Sequence, residues 1–330
     1  MSAIKKSDPE SPHYTAPERF AHLEIAVVLP CYNEAATIAG VIADFRQSLP
    51  QAKIYVFDNN SSDNTARIAH DAGAIVRRER RQGKGHVVRR IFADVEADLY
   101  IMADGDGTYD ASVAPDLVQK CLREGVDMVV GTRADVTKDA GRQGHAFGNK
   151  IFNMLYNALF GNDFSDIFSG YRVFTRRFAK SFPATSAGFE IETEMSVHAS
   201  QLAIPTIEVP THYGVRPEDS ESKLRTFTDG FKILRMFAKL TKETRPALFF
   251  GAIGLGFMLT AFALAMPLFF TYLETGLVPR FPTAILATGL VLIATISTVC
   301  GLILDSLANA RIEIKRSNFL SYPALKRDAT

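Results

Sequence analysis

Tryptophan and cysteine are scarce in this sequence, and the few cysteines argue against a disulfide-rich or zinc-binding protein. The 330 residues include no tryptophan and three cysteines. Cys31, Cys121 and Cys300 lie far apart and lack metal-ligand spacing, so we expect neither a disulfide framework nor a zinc site. Reduced thiols on a part of the chain that faces the cytosol fit best. The formal net charge is +1, which by itself indicates no partner, and we expect no nucleic-acid ligand.

Three sequence motifs are also absent. Residues 1–20 are polar and contain no apolar h-region, so we expect a flexible lead-in there and no secretory signal peptide. No G-x-G-x-x-G follows the first predicted strand, and no Walker A sequence occurs. Dinucleotide-binding and P-loop functions therefore lose their main support.

Charge is absent from two long stretches near the C-terminus. Residues 247–273 and 281–304 contain no charged residue, and each exceeds the roughly 20 residues that a membrane-spanning helix needs. A buried core helix is the alternative interpretation. The connector between the stretches is short and contains Arg280 as its only basic residue, which predicts a transmembrane hairpin over 247–305.

The positive charges around this hairpin predict its orientation. Basic residues precede the first stretch and follow the second: Lys232, Arg235, Lys239, Lys242, Arg245, Arg311, Lys315 and Arg316. The positive-inside rule then places the soluble part and both termini in the cytoplasm, at the inner membrane, with residues 306–330 as a cytoplasmic tail. Apolar residues at helical spacing predict a juxtamembrane amphipathic helix over 226–246, lying either on the membrane surface or on the globular domain.

The remaining part of the chain alternates strand and helix patterns. Apolar runs predict strands at 25–29, 54–57, 74–76, 99–103 and 128–130, separated by helical patterns at 35–48, 63–72, 85–95 and 113–123. This alternation is typical of an α/β fold with a mainly parallel sheet covered on both faces. We expect one domain over 21–225, with a nucleotide-binding half over 20–135 and an acceptor-side region over 135–225 on the same sheet.

Asp104-Gly105-Asp106 follows the fourth predicted strand and is the most informative motif. Two carboxylates held close together repel each other, and folding alone gives no reason to place them there. A divalent cation does, because Mg²⁺ takes carboxylate oxygens and leaves positions for substrate phosphates. The alternative is an ordinary acidic turn. Ligands of α/β proteins bind at the carboxyl ends of strands, which favours a metal–diphosphate site.

Polar residues also follow the first three predicted strands. Tyr32-Asn33-Glu34 and Asp58-Asn59-Asn60 end the first and second strands, while Arg80–Gly85 follow the third. Lys84 at a helix N-terminus suits a diphosphate, and its flanking glycines permit close backbone approach; a solvated basic loop is the alternative. Asp63 either binds ligand or caps the next helix.

Six motifs occur in an order that resembles family 2 glycosyltransferases, and polyprenyl-phosphate sugar synthases most closely. They are VVLPCYNE, FDNNSSDNT, RQGKG, MADGDGTY, VGTR and FSGYRVF, within about residues 24–245. The resemblance implies a GT-A fold. It also implies a membrane-bound enzyme that moves a hexose, with inversion, from a nucleotide sugar to polyprenyl phosphate. A UDP-hexose donor is favoured, and GDP-mannose stays open.

The resemblance also implies roles for individual residues. The donor would be bound by Pro30, Tyr32, Glu34, Asp58, Asn60, Lys84 and Lys223. Asp104 and Asp106 would hold Mg²⁺ or Mn²⁺ at the diphosphate. Catalytic contacts to the acceptor phosphate would come from Arg133, Arg142 and Arg172. Two positions depart from the family pattern: Thr108 replaces a glutamine, and Ala146 replaces an arginine, which puts those contacts in doubt.

Three other functions compete with this interpretation. Processive polysaccharide synthases carry a Q-x-x-R-W motif and more membrane spans, and the absence of tryptophan counts against them. A glycosyltransferase acting on diacylglycerol and a non-catalytic nucleotide-sugar-binding scaffold stay open. Gly251, Gly254 and Gly289 would permit close helix contacts, so a homo-oligomer such as a tetramer is a further possibility.

Overall fold

The computed structural model describes residues 20–133, 154, 156–157, 160–161, 164–188, 190–214, 238 and 240–325. Arg142, Ala146, Lys223 and most of the predicted amphipathic helix lie outside the described residues. The chain divides into two compact units: residues 1–221 together with 319–330, and residues 222–318.

The first unit is built on one seven-stranded mixed sheet. Its strands are β1 (Ile25–Cys31), β2 (Lys53–Asp58), β3 (Ile75–Arg78), β4 (Leu99–Met102), β5 (Met128–Arg133), β6 (Arg172–Thr175) and β7 (Thr206–Thr211). The spatial order is β3-β2-β1-β4-β6-β5-β7. All neighbouring pairs are parallel except those that β6 makes with β4 and β5. The predicted α/β class with a mainly parallel sheet is therefore confirmed.

Helices follow the first strands as the sequence pattern predicts. The first unit contains α1 (Ile38–Ser48), α2 (Thr65–Asp71), α3 (Lys84–Asp94), α4 (Ala114–Glu124), α5 (Arg176–Ser181) and α6 (Ile191–Leu202). Ile38, Ile42 and Phe45 of α1 are buried in the core at one face of the sheet. At the other face, the Phe92 ring of α3 packs edge-on against Tyr100 and Phe174 at centroid distances of 5.8 and 5.7 Å.

Strand β1 extends past the proline that was expected to end it. Pro30 pairs in register with Phe57 of β2, whereas the pairing with β4 ends at Val28 and Met102. Because β1 has no paired strand on the β4 side at Pro30, the missing N–H of the proline costs no ladder hydrogen bond there.

The strand order creates a crevice at the carboxyl end of the sheet. The chain runs outward from β1 through β2 to β3, and then returns to place β4 on the other side of β1. Loops that follow β1 and β4 must diverge at this reversal, which is where open α/β sheets bind ligands. The residues after β1, β2 and β4 therefore share one edge, as predicted.

The second unit contains most of two long apolar helices. These are α7 (Pro246–Thr275) and α8 (Phe281–Leu320), with mean hydropathies of 2.1 and 2.2 over their most apolar windows. Both are long and apolar enough to cross a membrane, and large side chains such as Leu259 and Phe262 are 60% exposed. Helix α8 continues to Leu320, well beyond the predicted end of the span, so the predicted tail over 306–330 begins as helix.

Small residues bring α7 and α8 together. A Cβ added to Gly254 would lie 2.8 Å from Thr298 Oγ1 and 2.9 Å from the Ala294 carbonyl oxygen of α8, whereas one added to Gly251 or Gly289 would meet nothing within 4 Å. Gly254 therefore serves the contact within the hairpin. The predicted homo-oligomer has no support from this glycine.

Candidate active site

Three loops at the carboxyl edge of the sheet are tied to one another. The Asn33 N–H donates to Ser61 Oγ at 3.0 Å, and Asn33 Oδ1 accepts from the Ser62 N–H at 2.9 Å. The Thr37 hydroxyl donates to the Gly105 carbonyl oxygen at 2.7 Å. These bonds link the loop after β1 to the loops after β2 and β4. The crevice is thus bounded by loops with fixed relative positions.

The predicted donor-binding residues lie along this edge. Pro30 and Asp58 are buried, Tyr32 and Glu34 are half-buried, and Asn60 is exposed. Asp58 accepts from the Ser61 N–H at 3.3 Å, and Asn60 Oδ1 accepts from Arg78 at 3.0 Å. The structure brings these residues to the crevice edge, and their contact with a nucleoside stays a prediction.

Asp63 is not the capping residue that one of its two interpretations made it, because the N-cap of α2 is Asn64 and no side-chain cap bond forms there. Its carboxylate accepts from the N–H and hydroxyl of Thr65 at 3.0 and 2.5 Å, and from the Ala35 N–H at 3.2 Å. Burial raises the pKa of Asp63, but the hydrogen bonds from Thr65 and Ala35 outweigh it and lower the pKa overall. Asp63 therefore ties the start of α2 to the loop after β1.

The glycines around Lys84 serve packing within the chain. A Cβ on Gly83 would lie 2.2 Å from the Ala187 carbonyl oxygen, and one on Gly85 would lie 2.1 Å from that of Ser186. The Gly85 N–H donates to Ala187 O at 3.0 Å. The backbone before α6, and not a diphosphate, approaches Gly83 and Gly85 closely. The expectation that these glycines make room for a ligand was therefore wrong.

Asn59, which the sequence analysis did not assign, holds the same loop in place. Its side-chain amide donates to the carbonyl oxygens of Glu79 and Arg81 at 3.2 and 2.7 Å, and its Oδ1 accepts from the Gly83 N–H at 2.7 Å. Asn59 is 4% exposed. The bonds fix the path of the chain into the N-terminus of α3, where Lys84 begins the helix.

Lys84 lies between two carboxylates. Its Nζ forms an ion pair with Asp104 Oδ1 and another, at 2.6 Å, with Glu192 Oε1 of α6. The side chains of Lys84, Asp104 and Glu192 are 8%, 27% and 5% exposed. Burial lowers the pKa of Lys84, but the two carboxylates have the larger effect. The net pKa lies above the usual value of lysine, so the side chain stays a charged ammonium. The cluster joins α3, α6 and the end of β4.

Asp106 is held from within its own loop. Its Oδ1 accepts from the Thr108 N–H at 3.1 Å and from the Thr108 hydroxyl at 2.6 Å, and the residue is 2% exposed. Gly105 between the two aspartates is also constrained, because a Cβ there would lie 2.4 Å from Cys31 Sγ. Thr108, which departs from the family pattern, therefore orients the second aspartate.

The predicted acceptor residue Arg133 makes a two-pronged ion pair. Its Nε and Nη2 donate to the two carboxylate oxygens of Asp166 at 2.8 and 2.7 Å, and its guanidinium lies 5.7 Å from the ring centroid of Tyr213. Burial raises the pKa of Asp166, but its bonds to Arg133 and the charge of the guanidinium lower it overall. Two of the five guanidinium N–H donors are thereby used.

Arg172 differs from its expected role. It is fully buried in β6, and it donates to the carbonyl oxygens of Ser169 and Ile167 at 2.8 and 3.1 Å and to Ser196 Oγ at 3.0 Å. Those bonds direct the guanidinium into the protein, because β6 places it between the preceding loop and α6. The geometry suits an arginine that positions the loop at 167–170 and does not suit direct contact with an acceptor phosphate.

That loop completes the crevice. The Ser169 hydroxyl donates to the Gly131 carbonyl oxygen at 2.5 Å, and the Gly170 N–H donates to the Tyr109 hydroxyl oxygen at 2.8 Å. A Cβ on Gly170 would lie 3.1 Å from both Asp104 Oδ2 and Lys84 Nζ. The absence of a side chain at Gly170 therefore lets this loop pack closely against the ion pair.

Glu192, Tyr109 and Asn59 lie at the site although no sequence pattern predicts a role for them. The segment Glu190-Ile191-Glu192-Thr193-Glu194 resembles a solvated helix start, yet Glu192 and Glu194 are 4% and 9% exposed. Acidic residues on a fully buried helix would indicate a functional site. The sequence does not show that α6 is buried, so this signal becomes visible only in the tertiary structure.

Comparison with known proteins places this site in a family. The model of the family described as "Glycosyl transferase family 2" matches residues 26–182. Glycosyltransferase AglJ of Haloferax volcanii is 40% identical over 250 residues, which are 75% of this chain and 81% of that protein. The chain belongs to glycosyltransferase family 2. This confirms the resemblance seen in the motifs, and it confirms that the chain is a glycosyltransferase.

Two further similarities extend the comparison. The dolichyl-phosphate hexose transferase of Haloferax volcanii is 27% identical over 67% of this chain and 96% of its own length. The glucosyl-3-phosphoglycerate synthase of Mycobacterium tuberculosis, solved with Mn²⁺, uridine diphosphate and phosphoglyceric acid, superposes with a TM-score of 0.57 at 23% identity, over 71% of this chain and 84% of that one. The latter similarity confirms the GT-A fold.

Proposed function

We propose that this family 2 glycosyltransferase moves a hexose from a nucleotide sugar to polyprenyl phosphate. The observation that carries the proposal is that one chain combines a GT-A domain with two helices apolar enough to cross a membrane. A long isoprenoid acceptor lies in the membrane with its phosphate at the headgroups, so the enzyme needs an anchor there. The relative named dolichyl-phosphate hexose transferase supports this acceptor class.

A UDP-hexose is the favoured donor, and GDP-mannose is the alternative. The mycobacterial structure with uridine diphosphate and Mn²⁺ supports both a uridine nucleotide and a divalent ion. The sugar itself depends on the shape of the pocket, where a single hydroxyl decides selectivity. We propose that Pro30, Tyr32, Glu34, Asp58 and Asn60 bind the nucleoside side of the donor.

Asp104 and Asp106 fit a divalent ion. Both offer carboxylate oxygens, the ligands that Mg²⁺ and Mn²⁺ prefer, and Asp104 is partly exposed at the crevice. Two carboxylates leave coordination positions for water and for the diphosphate. A divalent ion held there would stabilise the negative charge of the departing nucleotide.

The protein's own residues supply alignment and charge. A phosphate oxygen of the acceptor attacks the anomeric carbon, the bond to the nucleotide diphosphate breaks, and the configuration inverts. Because the acceptor is already an anion, a strong general base is not required. Lys84 stabilises the diphosphate, and Arg133, oriented by Asp166, binds the acceptor phosphate through its remaining donors. Arg142 and Lys223 are proposed to act beside them.

Arg172 is proposed to act through other residues. Its bonds to Ser169 and Ile167 hold the loop that places Gly170 beside Asp104 and Tyr109. A positioning residue of this kind affects the reaction by fixing the crevice wall.

Purified protein in detergent tests the acceptor and the carboxylate site together. With UDP-hexose and Mn²⁺ we expect a lipid-linked sugar from undecaprenyl phosphate and none from diacylglycerol. Asp106→Ala should lower turnover by more than about 100-fold without changing the unfolding temperature by more than a few degrees. Product from diacylglycerol alone would reassign the acceptor. Near-normal activity of Asp106→Ala after metal removal would overturn the mechanism.

A further inference from the structure

The ion pair between Lys84 and Asp104 occupies the carboxylate that a divalent ion would use. Lys84 Nζ contacts Asp104 Oδ1 directly; the lysine side chain is buried and that of Asp104 is partly exposed. Two cations close to one carboxylate repel each other strongly in such surroundings. A divalent ion that binds Asp104 must therefore displace the ammonium or share the carboxylate at a high energetic cost.

Glu192 provides a second place for the ammonium. Its Oε1 is already 2.6 Å from Lys84 Nζ. Its Oε2 is buried and has no hydrogen-bond partner among the described residues. A buried acceptor without a partner is unfavourable, so an ammonium that leaves Asp104 gains a second bond at Glu192.

The exchange requires little movement. A Cβ on Gly170 would lie 3.1 Å from both Asp104 Oδ2 and Lys84 Nζ, so glycine at this position avoids crowding the pair. Only a small movement of a flexible lysine is needed, because Nζ already contacts both carboxylates.

We infer that Lys84 is an internal counter-ion that competes with the divalent ion for Asp104, and that Glu192 is the positioning residue that receives Lys84 when the ion binds. The inference rests on the proposed metal–diphosphate site and deepens it. In the free enzyme Lys84 neutralises Asp104. When donor and metal bind, the ion takes Asp104, and Lys84, held by Glu192, stays in the crevice to face the diphosphate.

Manganese binding to the full-length protein without nucleotide tests the exchange. Electron paramagnetic resonance of unbound Mn²⁺ gives the dissociation constant. Lys84→Met should tighten Mn²⁺ binding roughly tenfold, and Glu192→Gln should weaken it by a similar factor because the carboxylate that draws Lys84 away from Asp104 is then lost. Lys53→Met and Glu24→Gln make the same charge changes at an exposed pair and should leave the constant unchanged.

The double variant Lys84→Met/Glu192→Gln separates exchange from simple charge and from misfolding. It leaves the net charge of the cluster unchanged and removes both members of a buried pair, a change that proteins often tolerate. The exchange predicts Mn²⁺ binding tighter than in the unmodified protein and equal to that of Lys84→Met. A double variant with the Mn²⁺ dissociation constant of the unmodified protein would overturn the inference. So would a double variant that binds Mn²⁺ more weakly than Lys84→Met, because Glu192 would then act without Lys84.

Failure of the proposed function gives a different pattern. If Asp104→Asn does not alter Mn²⁺ binding, the metal site itself is wrong, and the exchange falls with it. If the Mn²⁺ constants shift as predicted but no lipid-linked sugar forms with any donor, the exchange stands and the proposed acceptor is wrong.

Discussion

At the scale of single residues, the site consists of charged groups whose partners are already in place. Lys84 contacts Asp104 and Glu192, Arg133 binds Asp166, and Asp106 accepts from Thr108. These contacts fix the orientation of Arg133 and Asp106 before any substrate binds. They also mean that a residue recognised by its motif is not always a residue that touches substrate.

The Arg133–Asp166 pair should contribute a pH-dependent part of the stability. The pKa of Asp166 is lower in the folded protein than its unfolded value of about 3.9. The stabilisation is therefore complete above about pH 4 and is lost as the pH falls through the folded-state pKa. We expect Asp166→Asn to lower the free energy of unfolding by about 3 kcal/mol at pH 7, since it leaves a largely buried arginine unpaired.

Thermal unfolding in detergent between pH 7 and pH 2.5 measures this effect. The difference between Asp166→Asn and the unmodified protein should shrink below pH 4. Asp94→Asn, which breaks the pair of Asp94 with the exposed Arg90, is the control and should change little at any pH. A difference for Asp166→Asn that stays constant down to pH 2.5 would contradict the lowered pKa.

The roles of Arg172 and Glu192 could not be predicted from the sequence. Arg172 stands in a family motif, so its pattern indicates substrate contact, yet β6 turns it into the protein. Glu192 stands in no recognised pattern, yet it pairs with Lys84. In both cases the direction of the side chain depends on packing between distant segments, which local spacing does not encode.

At the scale of elements, the predicted strands β1–β5 and helices α1–α4 are present with shifts of a few residues at their ends. Strands β1 and β4 are buried throughout, whereas β3 at the sheet edge is largely exposed, and apolar periodicity with β-branched residues still identifies them. Strands β6 and β7 were not assigned. Strand β6 is four residues long and begins with a buried arginine, and no sequence rule indicates that it runs antiparallel to β4 and β5.

The packing of α3 against the segment before α6 should be sensitive to one methyl group. Gly85→Ala would place a Cβ 2.1 Å from a backbone oxygen, and backbone cannot yield as a flexible side chain does. We expect a loss of about 2 kcal/mol in the free energy of unfolding. Nucleotide binding should weaken too, because the shift moves Lys84.

Gly40→Ala is the matched control for Gly85→Ala, measured by the same chemical denaturation. Gly40 lies in α1, and an added Cβ there meets nothing within 4 Å. Alanine should stabilise this helix by about 0.5–1 kcal/mol. Equal effects of the two substitutions would show that the contact at Gly85 does not govern the packing.

The contact between α7 and α8 gives a second test at this scale. Gly254→Ala should lower the free energy of unfolding by about 1–3 kcal/mol, because its Cβ would approach the Ala294 carbonyl oxygen. The loss is measured as a lower unfolding temperature in detergent. Gly251→Ala, on the same helix with open space around it, should not lower it. If both variants unfold alike, the small residues do not hold this hairpin together.

At the scale of the whole molecule, the basic residues around the two apolar helices predict an orientation that the fold alone does not give. We expect the short connector between α7 and α8 to face outward and the catalytic unit to face the cytoplasm. Single cysteines at Leu277 and at Asp71, both exposed positions, can be labelled with a membrane-impermeant maleimide in a Cys300→Ala background.

The label should reach Leu277→Cys in intact cells and Asp71→Cys after permeabilisation alone. This result follows from the positive-inside rule, because basic residues flank the two helices and the only one in the connector is Arg280. Labelling of Asp71→Cys in intact cells would place the catalytic unit outside and would remove the physical basis of the proposed donor.

Transfer of sugar to a polyprenyl carrier is the central claim, and one assay tests it most directly. The purified full-length protein is incubated with undecaprenyl phosphate, Mg²⁺ or Mn²⁺ and one nucleotide sugar at a time, and the lipid fraction is analysed by mass spectrometry. The account predicts a mild-acid-labile lipid-linked hexose from one UDP-hexose, dependent on Asp104 and Asp106. Nucleotide release without lipid product, or no turnover with any donor by a folded protein, would contradict it.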